Sequence, residues 1–170
     1  YGLWLIGGEP AAGKSTLAAG VFAELKWRGV DCELAREYAK EKVWENSLDV
    51  LDDQVYILGK QYHSIFRLNN KVDVIITDSP ILLSLIYGED LGESFRKLVY
   101  ELFEKFHNIN YFVARKKAYR QSGRIQSELG ASLIDTQIMA ILDINHYPYT
   151  KILGTPESVK VMADNITDMI

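Results

Sequence analysis

The apolar run Leu3-Trp4-Leu5-Ile6 stops at Gly7, and Gly8-Glu9-Pro10-Ala11-Ala12-Gly13-Lys14-Ser15-Thr16 follows before apolar residues resume at helical spacing. This is G-x-x-x-x-G-K-[ST] set between a strand and a helix, the Walker A pattern in its required context. Glycines let the loop wrap with its N–H groups pointing inward, and the helix amino terminus adds partial positive charge, so the loop suits phosphate oxygens. Lys14 reaches the outer phosphates and Ser15 offers a hydroxyl to magnesium. Gly8, Ala11, Ala12, Gly13, Lys14, Ser15 and Thr16 are the candidate cradle for ATP. A glycine-rich turn that only caps a helix leaves the Lys14-Ser15 pair unexplained.

A chain built around that loop needs further strands to carry it. After the first helix pattern (Leu17, Ala18, Val21, Phe22, Leu25, closed by Gly29) come strand patterns at Val30 to Ala35, Val72 to Thr77, Ile109 to Ala114 and Tyr149 to Leu153. Helical patterns fall between and after them, at Arg36 to Trp44, Val50 to Leu68, Ser94 to Phe106, Glu128 to Asn145 and Pro156 to Ile170. Strands separated by helices pair parallel through right-handed crossovers. The expectation is a three-layer α/β P-loop fold with a five-stranded parallel sheet and its ligand site at the strands' carboxyl ends. At 170 residues, with no linker or repeat, the chain reads as a single domain over 1–170.

Composition excludes several classes. Hydrophobic residues at 48% and charged ones at 25% describe a folding chain, not a disordered one. No apolar run approaches the roughly 18 residues of a membrane span, so no membrane partner is expected. Cys32 is the single cysteine, which favours a reducing, cytoplasmic setting and makes the Asn165-Ile166-Thr167 sequon incidental. A net charge of −4 argues against a basic coat for nucleic acid. The three histidines, His63, His107 and His146, lack metal-ligand spacing.

Against that acidic background, the segment 115–124 holds five basic residues, Arg115, Lys116, Lys117, Arg120 and Arg124, and no acidic one. Following the fourth strand, it reads as a lid over about 115–127, in which Arg115, Arg120 and Arg124 bracket phosphoryl oxygens as charge develops. The alternative is a solvated basic loop. Asp78 ends the third strand, in the Walker B place, where a carboxylate holds magnesium or accepts a proton from the acceptor hydroxyl. Alternatively Asp78-Ser79-Pro80 is a turn that caps the next helix. Glu37, just past the second strand, is the candidate base or acceptor-orienting carboxylate with Arg36 beside it; a first-turn glutamate explains it equally well. Tyr38, Trp44, Tyr56, Gln61, Tyr62, His63 and Phe66 form an aromatic and amide stretch, for which core packing ranks ahead of contact with a planar acceptor.

These residues together resemble the small P-loop ATPase/kinase proteins of bacteriophages, AAA-family and nucleotide-kinase-like. The likeness runs through Glu37-Tyr38-Ala39-Lys40, Val43-Trp44-Glu45, Gln61-Tyr62-His63, Thr77-Asp78-Ser79-Pro80, and Gly123-Arg124 with Gln126 and Asp135. More distantly the chain is similar to nicotinamide-riboside kinase domains, to nucleoside and nucleotide kinases, and to phage kinases acting on 5-hydroxymethyluracil in DNA. The chain departs from the group in having Ala11 for a glycine of the loop, and Ala118 and Arg120 where Pro and Asn are usual. The resemblance implies an ATP- and magnesium-dependent kinase whose γ-phosphoryl acceptor is a hydroxyl of a nucleoside, nucleotide or DNA-borne base, working in the host cytoplasm. The rival expectation is an ATPase or nucleotide-dependent switch with a protein or DNA partner.

Overall fold

The computed structural model describes residues 2–6, 13–35, 53–114 and 128–170. Five strands, β1 (Gly2–Ile6), β2 (Cys32–Ala35), β3 (Val74–Thr77), β4 (Asn108–Ala114) and β5 (Tyr149–Leu153), form one sheet in the order β2-β3-β1-β4-β5. Every neighbouring pair is parallel, so all five carboxyl ends lie along one edge. Six α-helices accompany them: α1 (Lys14–Trp27), α2 (Gln54–Phe66), the single turn α3 (Ser84–Tyr87), α4 (Glu93–Glu104), α5 (Glu128–Ile144) and α6 (Pro156–Met169).

Strand side chains alternate between faces, and this divides the core in two. Cys32, Val74, Ile76, Tyr111 and Val113 face α1 and α6, where Leu17, Ala18, Val21, Leu25, Met162, Ala163 and Ile166 cover them. Ala35, Ile75 and Phe112 face the other way, onto Leu58 and Ile65 of α2, Val99 and Phe103 of α4, and Ile138 and Leu142 of α5. The result is a helix-sheet-helix sandwich. On the first face α1 and α6 approach closely at Gly20, where an added Cβ would stand 2.8 Å from Val159 Cγ2.

Element ends differ from the periodicity by physical detail. β2 and β3 each begin two residues later than their apolar patterns, because the Asp31 carbonyl accepts from both Asp73 N–H (2.9 Å) and Val74 N–H (3.2 Å) ahead of the ladder. α2 starts at Gln54, since Asp53 caps it by accepting from Tyr56 N–H at 3.2 Å. The helical reading of 36–44 lies outside the described residues. A segment without a sequence assignment, residues 81–91, folds as a 3₁₀ turn (Ile81–Leu83), α3, and a second 3₁₀ turn (Glu89–Leu91).

Core packing does not hold for the whole aromatic stretch. Tyr56 is 42% exposed and Phe66 56%, because the buried stripe of α2 runs through Leu58, Gln61 and Ile65; Tyr62 alone of the three packs against the core. In the last helix, Asn165 Nδ2 donates to the Tyr111 hydroxyl at 3.2 Å, so the sequon nitrogen serves packing. Among the described residues no helix is long and apolar enough to cross a membrane.

Candidate nucleotide and metal site

Parallel pairing delivers the candidate residues to one edge. β1 lies between β3 and β4 and feeds the phosphate loop, β3 runs into Asp78, β4 ends one residue before Arg115, and β2 ends two residues before Glu37. Ala35 stands opposite Thr77 in the β2–β3 register, and Ala114 opposite Leu153 in β4–β5, so neighbouring strands end level.

At the amino end of α1, Gly13 has φ +84°, the left-handed region that glycine enters without strain. No side chain caps the helix and no acidic residue occupies its first turn. A helix start with uncapped N–H groups and no resident carboxylate is suited to an anion. Lys14 is half-buried at that start, and Ser15 and Thr16 are exposed. Gly13 also packs close to the loop after β5: a Cβ there would sit 3.6 Å from Gly154 Cα.

Across the gap between β1 and β3, the Ser15 hydroxyl donates to Asp78 Oδ2 at 2.5 Å. That length belongs to a hydroxyl bonded to a charged acceptor. Asp78 is only 9% exposed. The turn reading of Asp78 is corrected here: the 3₁₀ turn after β3 has Pro80 at its cap position and no side-chain cap, and the carboxylate faces α1 instead. Ser79 N–H, the next backbone donor, goes to Thr77 Oγ1 at 3.1 Å.

A serine hydroxyl touching a carboxylate is a hard-oxygen pair that fits magnesium, an ion that keeps waters and takes phosphate oxygens in place of a full protein cage. No group of three or more His, Cys, Asp or Glu that would hold a softer or more demanding ion occurs among the described residues. Gly8, Ala11, Ala12, Glu37, Arg115, Arg120 and Arg124, and with them the lid, lie outside the described residues. The structure thus brings Gly13, Lys14, Ser15, Thr16 and Asp78 to one edge. It adds Gly154, which contacts the loop, and Thr77 with Gln61, whose Nε2 lies 3.4 Å from Thr77 Oγ1. The only sequence signal for the latter was an amide on an otherwise apolar helix stripe.

Residues 3–158 match the model of the AAA domain family, and the chain belongs to that family of P-loop nucleotide-binding proteins. No curated protein matches this sequence.

Proposed function

We propose that the protein is an ATP- and magnesium-dependent P-loop kinase that transfers the γ-phosphoryl group to a hydroxyl of a nucleoside or nucleotide-type acceptor, free or carried in DNA as 5-hydroxymethyluracil. The observation that carries the reading is the Ser15–Asp78 contact at 2.5 Å, followed by Ser79 and Pro80. Asp78 is committed to the metal side of the site, and no second carboxylate follows it to polarise a water for hydrolysis. An acidic group that engages a hydroxyl must come from elsewhere, and Glu37 is the assigned residue.

In this reading the loop amides and Lys14 hold the donor phosphates, while Ser15 and Asp78 hold magnesium, which supplies neutralising charge on the β- and γ-phosphates when bound. Glu37 accepts the proton as the acceptor oxygen bonds to the γ-phosphorus and the bond to the bridging β–γ oxygen breaks, leaving ADP. Arg115, Arg120 and Arg124 balance charge on the transferring oxygens and exclude water.

The test is γ-labelled ATP with magnesium, offered nucleosides, nucleoside monophosphates, nicotinamide riboside, and DNA with and without 5-hydroxymethyluracil. Label in one acceptor establishes the kinase and names its substrate. Lys14→Ala should abolish that transfer with the thermal unfolding midpoint unchanged; full activity in this variant would refute the loop assignment. The AAA-domain membership favours a second reading, an ATPase or nucleotide-dependent switch acting with a protein or DNA partner. Label appearing only as free phosphate, whatever acceptor is offered, would select it.

A further inference from the structure

Gln61 occupies the buried stripe of α2 between Leu58 and Ile65 and is 5% exposed. An apolar side chain would complete that stripe, whereas an amide withdrawn from water there costs free energy unless it is bonded. Its Nε2 lies 3.4 Å from Thr77 Oγ1, and Thr77 is 1% exposed at the last position of β3. The same Oγ1 accepts Ser79 N–H at 3.1 Å. One hydroxyl oxygen therefore uses both lone pairs, and ties the residue before Asp78 to the residue after it. Strand alternation sends Thr77 toward α2 and Asp78 toward α1, where Ser15 waits. Gln61 and Thr77 stand behind the carboxylate, on the opposite face of the sheet from the phosphate loop.

We propose that Gln61 and Thr77 are positioning residues for the metal site: together they lock the backbone on either side of Asp78, so that its carboxylate is held ready for magnesium. The inference rests on the nucleotide and metal reading of Ser15 and Asp78, and is independent of which acceptor the protein uses. Groups that orient a metal-binding side chain typically contribute about 10–100-fold in metal affinity. Thr77→Val keeps the shape and removes the shared oxygen; Gln61→Met keeps the length and removes the amide; Thr77→Ser keeps the hydroxyl.

The experiment measures binding of the β,γ-imido analogue of ATP by calorimetry across a magnesium series and in chelator, with thermal unfolding of each variant alongside. Thr77→Val should raise the magnesium concentration for half-maximal tightening by about tenfold, leave chelator-phase nucleotide affinity unchanged, and be rescued in Thr77→Ser. Gln61→Met should shift the midpoint the same way by less, and decides the matter alone should Thr77→Val not fold. Magnesium midpoints equal to the unaltered protein's in the folded variants would overturn the proposal, as would a Thr77→Ser midpoint as poor as that of Thr77→Val. Absence of magnesium-dependent nucleotide binding in the unaltered protein would instead overturn the site reading beneath it.

Discussion

The two faces of the sheet are built by different means. On the face of α1 and α6, the described core is aliphatic with Tyr111 and Met162 among its buried members, and the helices close on each other at Gly20 and Val159. This face carries Lys14 and Ser15 at the start of α1. On the opposite face, α2, α3, α4 and α5 cover larger aromatic groups, Phe95, Phe103 and Phe112, and buried polar side chains sit among them: Gln61, Thr77, Ser84 and Asn110. The first face fixes the phosphate loop by close packing of smooth surfaces. The second uses hydrogen bonds inside the core, which are specific in direction but costly when incomplete. The contrast assigns grip on the donor to one face and alignment of Asp78 to the other.

The largest effect should come from the direct contact between them. Ser15→Ala or Asp78→Ala should lower magnesium-dependent turnover of ATP by about 10²–10³-fold, measured as release or transfer of labelled phosphate. A Thr77→Val loss as large as either would break the division between holding and aligning groups.

Stability separates the faces next. At Gly88 an added Cβ would meet Phe95 Cε1 at 2.6 Å and the Ser84 carbonyl oxygen at 2.9 Å. The carbonyl belongs to backbone and cannot step aside, so Gly88→Ala should cost about 1–3 kcal/mol in urea unfolding. On the other face, Gly20→Ala meets only Val159 Cγ2 and gains about 1 kcal/mol of helix propensity. Its net cost should be smaller than that of Gly88→Ala. Val159→Ala added to Gly20→Ala should cost less than it does alone, the coupling being read by a double-mutant cycle.

The smallest effect concerns the polar interior of the second face at its alkaline limit. Burial, and then the hydrogen bond to Glu104 Oε1 at 2.6 Å, push the Tyr147 phenol well above its ordinary range. The folded state therefore favours the neutral phenol. Its stabilisation is fully present below the unfolded pKa near 10 and is lost as pH rises from there through the raised folded value. Tyr147→Phe should flatten the fall of the unfolding midpoint above about pH 9.5 while lowering it slightly at pH 7. An identical alkaline slope in both proteins would remove Tyr147 from the account.

Much of this was legible before any coordinates. The phosphate loop is local: its glycines, lysine and serine are consecutive, and the strand before and helix after follow from short-range periodicity. The alternation of strands and helices was equally readable, and Tyr149–Leu153 begins and ends where its pattern does. Residues 81–91 were not readable, because Ile81-Leu82-Leu83 is too short an apolar run for periodicity to choose between strand and helix. Tyr56 and Phe66 misled for a related reason. Helical spacing groups residues on a side of a helix, but which side meets the sheet depends on the partner, and here Leu58, Gln61 and Ile65 won.

By itself, then, the sequence determined a P-loop chain of alternating strands and helices, and named Ser15 and Asp78 as its metal-side residues. Only the tertiary structure decided that β3 is β1's immediate neighbour, which closes 63 positions of chain separation to a 2.5 Å contact. It also decided that Gln61 is an interior group joined to Thr77, and that Gly154 abuts Gly13. Motifs and periods are properties of neighbours along the chain; strand order, register and the facing of a helix are settled by how whole layers bury their surfaces together.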